Sequence, residues 1–395
     1  MQTILTAAAL FDGTRLIHDP LIAIDEGCFA AISTRDSAAS LPAGAQVMDF
    51  PGATLAPAFL DVHIHGAAGH DVMEATPQAL DAMGRFLASR GTANYLATTV
   101  TAPLDATLRS LEGLGKLIAR QSEMSSGNGA GVASARPLGI HLEGPFLSHA
   151  KRGVHPPEYL LEPSVATFDR MFEAAEGLVR LMTLAPELNG AAELAAHAAR
   201  RGVRVSVGHS NATAAETRAA FAAGATSATH TFNAMRTLDH REPGILGEVL
   251  TDDAIFAELI CDGIHSAPEM TRLWWRAKGS ERGILVTDAM SAAGMPDGEY
   301  QLGGFAVLVA QGRATRDGVL AGSVLTLDRA LANCVAFTGA AIDKALRAVT
   351  ANPAAMVGFE DVAGRVAVGR PANLVALNAE AKLMATFVNG VRAAA

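Results

Sequence analysis

Short apolar segments alternate with alanine-rich segments of helical character across the middle of this 395-residue chain. In TPQALDAMGRFLASRG, Thr76 fits a helix N-cap, Pro77 the first helical position and Gly91 the helix end. Strand-like segments such as NYLATTV, PLGIHLEG, VRVSVGH and SATHTF separate the helical ones. Repeated strand–helix units over about 300 residues predict an α/β fold, a (β/α)8 TIM-like barrel. An open doubly wound sheet is the alternative, but no GxGxxG motif opens the first helix.

Both ends of the chain differ from its middle, because short strand-like runs are separated there by turn-forming pairs such as DG and EG. We predict that residues 1–52 and 358–395 together form one small β-sandwich domain, and that residues 53–357 form the barrel. Two unrelated capping hairpins are the alternative. The glycine- and serine-rich segment at residues 122–137 predicts a flexible surface connection.

Charge and cysteine content narrow the class of protein. The formal net charge is -9 and no basic cluster occurs, so we expect no nucleic-acid partner. Cys28, Cys261 and Cys334 are widely spaced, which argues against a disulfide framework and predicts a reducing cytoplasm. The N-terminal segment lacks the pattern of a secretory signal, and no apolar run reaches the ~18 residues of a membrane span, so we expect no membrane partner.

The segment DVHIHG places two histidines, His63 and His65, one residue apart after an apolar run. Residues i and i+2 of a strand point to the same side, so the two imidazoles face one point in space. Two neutral imidazoles that converge can hold a metal ion. The structural alternative is a pair of polar residues in a turn, so the metal interpretation requires further ligands elsewhere in the chain.

Residues that bind metals or move protons also follow other strand-like runs: Glu143, His209, His230, Asp262, His265 and Asp288. Functional groups of a βα barrel lie at the carboxyl ends of its strands, so we expect these side chains to meet. Glu143 with His209 and His230 would leave one coordination position open for water, as a catalytic divalent site requires. Asp288 is the leading acid–base candidate, with a structural loop cap as the alternative. For each histidine alone, the alternative is a hydrogen-bonded core residue.

A series of longer motifs occurs in order between about residues 52 and 385: PAFLDVHIHG, GIHLEGPFLSHAKRGVH, VSVGHSNAT, THTFNAM, REPG, CDGIH, VTDAMSAAGMPDGEYQLGG and LAGSVLTLDRA. Together they resemble the N-acetylglucosamine-6-phosphate deacetylase family of the metal-dependent amidohydrolase superfamily. The resemblance implies a (β/α)8 barrel with a small β-sandwich formed from both termini, and a homodimer. It also implies hydrolysis of N-acetyl-D-glucosamine 6-phosphate to D-glucosamine 6-phosphate and acetate, in amino-sugar catabolism.

The resemblance implies roles for individual residues. The metal ligands would be Glu143, His209 and His230, joined by His63 and His65 where a second ion binds. One or two divalent ions per subunit, Zn, Fe, Mn or Co, would fit such ligands. Asp288 would be the general base and acid, and His155 would polarise the acetyl carbonyl. The implied substrate-binding residues are Val154, His155, Asn233, Ala234, Arg241, Asp262, His265, Ala321, Gly322 and Ser323. Arg241 would bind the phosphate and, in a dimer, reach the site of a neighbouring subunit.

Several points stay open at this level. Many amidohydrolases bridge two metals with a carboxylated lysine, whereas Glu143 stands at that position here. Residues 236–240, RTLDH, are less typical of the family, which leaves the geometry of that loop open. The alternative substrates are N-acetylgalactosamine 6-phosphate or a cyclic amide. A barrel that only binds a partner, without catalysis, is the alternative from another functional class.

Overall fold

The computed structural model describes residues 2–37, 44–124 and 131–394. The predicted surface connection at 122–137 lies in part outside them, at residues 125–130. Its two ends differ from the prediction, because a helix extends to Met124 and a strand begins at Arg136. Among the described residues, no helix is both long and apolar enough to cross a membrane.

Five strands precede the barrel: β1 (Thr3–Phe11), β2 (Leu16–His18), β3 (Pro20–Asp25), β4 (Cys28–Thr34) and β5 (Gln46–Pro57). β1 pairs antiparallel with β2 and β3, and it pairs parallel with β5. The turn pairs DG and EG lie between consecutive strands of this group, as the sequence predicted.

The middle of the chain alternates strands and helices. In chain order these are β6 (Phe59–Ile64), β7 (Gly66–Ala67), β8 (His70–Asp71), α1 (Pro77–Ser89), β9 (Thr92–Thr99), α2 (Leu104–Met124), β10 (Arg136–Glu143), α3 (Val165–Ala174), β11 (Val179–Leu184), α4 (Ala191–Arg200), β12 (Arg204–Val207), α5 (Ala214–Ala222), β13 (Ala225–Ala228), α6 (Gly244–Thr251), β14 (Phe256–Ile260), α7 (Pro268–Arg282) and β15 (Gly283–Val286). The predicted N-cap of α1 is confirmed, because the Thr76 hydroxyl accepts a hydrogen bond from Ala79 N at 3.2 Å.

Eight of these strands form one parallel sheet in the order β15-β14-β13-β12-β11-β10-β9-β6. Its two edge strands meet through a parallel bridge between Ile64 and Ala289 and a 2.9 Å hydrogen bond from Asp288 N to His63 O. The predicted barrel is therefore confirmed. Every residue of β6 and β9 is buried, because helices cover the outside of a parallel barrel and side chains fill its inside.

One predicted strand is shorter than expected. SATHTF was expected to be a strand, but β13 ends at Ala228, and His230 and Phe232 lie in the turn that follows. Both residues have a positive φ, 29° and 80° respectively, which a continuing strand excludes.

A small antiparallel sheet that the sequence analysis did not predict follows the last barrel strand. It consists of β16 (Gly298–Leu302), β17 (Phe305–Ala310), β18 (Arg313–Arg316) and β19 (Val319–Leu320). It has a core of its own that includes Val307 and Val309. Three helices then follow: α8 (Leu327–Thr338), α9 (Ile342–Leu346) and α10 (Ala351–Val357).

The chain ends with three strands that return to the first sheet: β20 (Leu374–Leu377), β21 (Leu383–Val388) and β22 (Val391–Arg392). β20 pairs antiparallel with β5, which gives the order β22-β21-β20-β5-β1-β3-β4. Strands from both termini thus form one sheet, with its own core around Leu5, Phe29 and Phe387. The division into residues 1–52 plus 358–395 and 53–357 stays a prediction, since β5 continues in this sheet to Pro57.

Candidate metal centre and active site

A cavity of about 380 Å³ opens at the carboxyl ends of the barrel strands. Eleven of the predicted site residues line it: His65, Glu143, Val154, His155, His209, His230, Asn233, Ala234, His265, Asp288 and Gly322. Apolar side chains of the added sheet, among them Leu302 and Leu320, line its outer part. Residues that are far apart in the chain therefore meet where the barrel geometry predicts.

Glu143 lies at the centre of a cluster of imidazoles. Its Oε1 atom is 3.2 Å from His209 Nε2, 3.1 Å from His230 Nε2 and 3.3 Å from His63 Nε2. The Nε2 atoms of His209 and His230 are themselves 3.0 Å apart. The second oxygen, Oε2, lies 3.2 Å from His65 Nε2. Both carboxylate oxygens are thus within ligand distance of imidazole nitrogens.

Asp288 follows β15 and approaches the same cluster from beside β6. Its Oδ1 atom is 3.2 Å from His65 Nε2 and 3.5 Å from His63 Nε2. The residues that could bind a cation fall into two groups, and within each group the ligand atoms lie within 4.8 Å of one another. One group is His63, His65 and Asp288, and the other is Glu143, His155 and His209. The cluster therefore offers ligands for two neighbouring cations.

Three of the cluster residues have a left-handed backbone at the end of a strand. The φ angle is 46° at His209, 29° at His230 and 49° at Asp288. Such a conformation costs about 1–3 kcal/mol for a residue other than glycine and persists only where the surroundings enforce it. At Asp288 a hydrogen bond from Ser323 N to the carbonyl oxygen, 2.7 Å, contributes to this. The strained backbone aims the side chains into the cavity.

In two histidines of the cluster, the hydrogen bond of Nδ1 shows that this ring nitrogen carries a proton. Nδ1 of His65 is 3.0 Å from Thr98 O, and Nδ1 of His209 is 3.0 Å from Lys151 O. A carbonyl oxygen only accepts, so Nδ1 donates in both, and Nε2 is the ring nitrogen that faces Glu143. An Nε2 lone pair and a carboxylate oxygen repel one another unless a proton or a metal ion lies between them.

The spacing of these atoms fits a divalent metal ion. Ligands that surround a tetrahedral zinc at 2.0–2.1 Å lie about 3.3 Å from one another. The contacts of Glu143 with His209 and His230 are close to that value. His63 Nε2 is fully buried and makes no hydrogen bond of acceptable geometry among the described residues, although Glu143 Oε1 is 3.3 Å away. A metal ion would use this unpaired nitrogen.

The pKa shifts show that the cluster favours ionised carboxylates beside protonated imidazoles at His63 and His65. Burial disfavours the charged forms of the two carboxylates and the two imidazoles concerned, but the opposite charges around them outweigh the effect of burial. The pKa of Glu143 is held well below its usual range, and that of Asp288 falls to about 2. The neighbouring carboxylates raise the pKa of His63 well above its usual value and that of His65 to about 9. A divalent ion would replace the protons on these two rings.

His155 is a neutral hydrogen-bond donor in this site. Burial lowers the pKa of its imidazole to about 4. Thr101 N donates to Nδ1 at 3.3 Å, and the Thr101 hydroxyl lies 2.8 Å from the same nitrogen. Since a backbone N–H can only donate, Nδ1 accepts and the ring proton is on Nε2. That N–H lies 3.5 Å from Glu143 Oε2, at the cavity.

Four predicted substrate-binding residues do not line the cavity. Arg241 is exposed, and its backbone N donates to Asp239 Oδ1 at 2.8 Å. Asp262 lies behind His265 and contacts its Nδ1 at 2.7 Å. Ala321 is fully buried, and Ser323 supports Asp288 through the backbone.

Two buried carboxylates close to the cluster were not predicted from the sequence. Asp61 accepts from Thr287 Oγ1 at 2.6 Å and from His63 N at 3.2 Å, and burial raises its pKa to about 7. Glu258, in the middle of β14, lies 3.2 Å from His63 Nδ1. The available signal was a charged residue inside an apolar strand, where charge is rare without a partner.

The chain is similar to known proteins along nearly all of its length. The amidohydrolase family model matches residues 54–393. An N-acetylgalactosamine-6-phosphate deacetylase from Escherichia coli O157:H7 is 38% identical, over 99% of this chain and 99% of that protein. An N-acetylglucosamine-6-phosphate deacetylase from Bacillus subtilis (strain 168) is 34% identical, over 97% of this chain and 94% of that protein.

Solved structures show the same similarity. A mutant N-acetyl-D-glucosamine-6-phosphate deacetylase from Mycobacterium smegmatis, in complex with N-acetyl-D-glucosamine 6-phosphate, has a TM-score of 0.90 and 34% identity, with 100% of both chains covered. The chain therefore belongs to the amidohydrolase family. Within it, the chain groups with the deacetylases of N-acetylhexosamine 6-phosphates, as its motifs predicted.

Proposed function

We propose that this protein hydrolyses the acetamide of N-acetyl-D-glucosamine 6-phosphate to D-glucosamine 6-phosphate and acetate, in amino-sugar catabolism. One observation carries the proposal: Glu143 Oε1 has the Nε2 atoms of His209 and His230 within 3.2 Å, in the cavity that Asp288 and His155 also line. The names of its relatives supply the substrate class. Hydrolysis of an amide needs an activated water, a proton carrier and a donor to the oxyanion, and the cavity holds residues suited to each task.

Glu143, His209 and His230 would hold one divalent ion, and His63 and His65, with Asp288, a second. When bound, such an ion lowers the pKa of water and polarises a carbonyl group. Zn, Fe, Mn and Co all accept imidazole and carboxylate ligands, so we propose one or two ions of this group per subunit.

Asp288 carries the proton in this proposal. It is ionised at neutral pH, because its histidine neighbours lower its pKa to about 2 despite burial. The carboxylate accepts the proton of the attacking water and later delivers it to the amine nitrogen as the C–N bond breaks. Acetate and the free amino sugar phosphate then leave.

His155 stabilises the charge that develops on the acetyl oxygen. Thr101 keeps the proton on Nε2 and burial keeps the ring neutral, so His155 donates without first losing a proton. A fixed donor in a buried site strengthens its hydrogen bond as the carbonyl oxygen becomes an oxyanion.

The phosphate and sugar would bind in the outer part of the cavity. His265 lines it and is oriented by Asp262, while Val154, Asn233, Ala234 and Gly322 form the wall near the sugar. Ala321 and Ser323 would act through the backbone that supports Asp288. Arg241 suits phosphate because its planar guanidinium donates two parallel hydrogen bonds. Since its side chain is exposed, we propose that it completes the site of a neighbouring subunit in a homodimer.

N-acetyl-D-galactosamine 6-phosphate is a second candidate substrate, supported by the relative from Escherichia coli O157:H7. Acetate release should be measured with metal-reconstituted protein on the 6-phosphates of both N-acetylhexosamines and on the two unphosphorylated sugars. We expect release from at least one phosphorylated sugar and at least tenfold lower kcat/KM without the phosphate. Release from neither phosphorylated sugar would reject the proposed activity.

We also propose that the protein works in a reducing cytoplasm, which the wide spacing of its three cysteines supports. Cell fractionation followed by immunoblotting tests the location.

A further inference from the structure

Glu258 is a carboxylate enclosed within the barrel. It lies in the middle of β14, and none of its surface is exposed. Its Oε2 atom lies 3.2 Å from His63 Nδ1 and accepts a hydrogen bond from His230 N at 3.3 Å. Its Oε1 atom has no hydrogen-bond partner among the described residues. A buried carboxylate with half of its acceptor capacity unused is costly, which points to a role beyond packing.

The contact with His63 determines which ring nitrogen carries the proton. A carboxylate only accepts, so Nδ1 of His63 is the donor and Nε2 is the nitrogen that would exchange its proton for a metal ion. Nε2 lies 3.3 Å from Glu143 Oε1 and 3.5 Å from Asp288 Oδ1. Glu258 therefore presents His63 to the cluster as a ligand.

Other histidines of the cluster receive different support. Nδ1 of His65 donates to Thr98 O, and Nδ1 of His209 donates to Lys151 O, so both rely on neutral carbonyl groups. A carboxylate partner makes the opposite ring nitrogen more basic than a carbonyl does, and so a stronger metal ligand. Through His230 N, the same Glu258 oxygen also joins the turn that carries a ligand of the first ion.

We propose that Glu258 is the positioning residue that makes His63 a competent ligand, and that binding of the second metal ion depends on it. This inference rests on the proposed two-ion site. Glu258 does not line the cavity, so it acts on the reaction through His63 and, by its contact with His230 N, through the turn that carries His230.

The test counts metal ions in the absence of substrate. Metal-free protein is titrated with Co²⁺, the ions bound per chain are measured by elemental analysis, and the visible spectrum of the bound cobalt is recorded. We expect two ions on the wild-type protein. Glu258→Gln should keep the first ion and bind the second about 10–100-fold more weakly, since the substitution removes the charge at nearly constant shape. The spectral change that accompanies the second ion should shift to higher cobalt concentration.

Asp169→Asn is the matched control. Asp169 Oδ1 lies 2.8 Å from His197 Nε2, a similar carboxylate–imidazole contact between α3 and α4, away from the barrel mouth. This variant should bind both ions as the wild type does. His63→Asn should lose the second ion, and combining it with Glu258→Gln should cause no further loss, because the two residues act as one unit.

Two results would overturn the inference: a second ion bound by Glu258→Gln as tightly as by the wild type, or a wild-type protein that binds a single ion. Circular dichroism and the thermal midpoint of the metal-free variants check folding. If Glu258→Gln fails to fold, Glu258→Asp is used in its place. The shorter side chain keeps the charge but moves it away from His63. It should lower the affinity for the second ion by a similar factor. A wild-type protein that binds two ions but releases no acetate would reject the proposed function and would leave the role of Glu258 in metal binding intact.

Discussion

The Nε2 atoms of His209 and His230 lie 3.0 Å apart, and both lie within 3.2 Å of one oxygen of Glu143. His209 donates from Nδ1 to Lys151 O, so Nε2 is the nitrogen that faces this contact. Three atoms that can each bear a lone pair are stable at such distances only with a metal ion or shared protons among them. Occupancy of this site should therefore be linked to the stability of the folded chain.

Removal of metal should lower both stability and activity. A ligand that binds only the folded state adds about 2.7 kcal/mol at a concentration 100 times its dissociation constant. We expect chelation to lower the thermal midpoint by several degrees and Zn²⁺, Mn²⁺ or Co²⁺ to restore it. His209→Asn should lose this response, whereas His197→Asn, a histidine on α4 remote from the cavity, should keep it. An unchanged midpoint shift in His209→Asn would contradict the site.

Asp288→Asn should separate metal binding from proton transfer. The amide keeps the size of the side chain and an oxygen, but it cannot take up a proton at neutral pH. We expect the ion held by Glu143, His209 and His230 to stay bound and kcat to fall about 10²–10⁴-fold, the range for loss of a positioned acid–base group. Asp297→Asn, in the exposed loop nearby, serves as the control and should turn over normally. Substantial turnover by Asp288→Asn would exclude this residue as the proton carrier.

His155→Gln should lower kcat more than it raises KM, because a donor to the oxyanion acts mainly in the transition state. Loss of one such donor costs about 10²–10³-fold in kcat. Thr101→Val keeps the backbone N–H that holds Nδ1 but removes the hydroxyl 2.8 Å from it, so a smaller decrease is expected. Steady-state kinetics on both variants provides the measurement. A larger decrease in kcat for Thr101→Val than for His155→Gln would contradict the role of His155 as the donor and of Thr101 as its support.

The barrel and the cluster residues at its strand ends were predictable from local sequence, whereas Val154, His155, Asn233, Ala234 and Gly322 were expected only from the family resemblance. Strand–helix alternation defines a parallel barrel, and residues at the strand ends, such as Glu143 and His209, must then meet at one face. His63 and His65 follow the same logic, because the period of a strand places both on one side.

The supporting residues could not be predicted in this way. Glu258 and His63 are 195 positions apart, and their contact depends on which strands the closed barrel brings together. Thr101 contacts His155 across 54 positions for the same reason. Arg241 was predicted from its motif, but whether a neighbouring subunit receives its side chain depends on an interface that no single-chain pattern encodes.

Lys278 should give the stability of this protein a pH dependence of its own. Its buried ammonium donates to Val249 O at 3.0 Å and Asp252 O at 2.6 Å, at the C-terminal end of α6. Burial lowers its pKa to about 8 from 10.5. Between these values the unfolded chain binds more protons than the folded one, so the free energy of unfolding should rise with pH.

Thermal midpoints of the wild type and of Lys278→Met should be compared at pH 7.5 and 9.5. The midpoint of the wild type minus that of Lys278→Met should be more positive at pH 9.5 than at pH 7.5. The reason is that the burial penalty on the charged lysine disappears as the lysine loses its proton. Lys344→Met, a change at an exposed lysine, should show no such trend. A pH-independent difference for Lys278→Met would contradict the argument.

Arg241→Ala should raise KM for the phosphorylated sugar with little change in kcat, because phosphate binding is distant from the reacting acetamide. The unphosphorylated sugar should respond little to the change. Arg236→Ala is the matched control, since this arginine lies five positions earlier in the same loop and its guanidinium contacts Asn211 O at 3.4 Å. An unchanged KM in Arg241→Ala would exclude this arginine from the phosphate site.

Mixed dimers of these variants test the same role of Arg241 and show which subunit uses it. Arg241→Ala has an intact Asp288, and Asp288→Asn has an intact Arg241, so each homodimer should be weakly active at low substrate concentration. If Arg241 completes the neighbouring site, the hybrid contains one site with both residues, and mixing should restore up to half of the wild-type kcat/KM per hybrid dimer. If Arg241 serves its own subunit, no site in the hybrid has both residues, and mixing will restore nothing. Activity after co-refolding, measured against each unmixed variant, decides between the two arrangements.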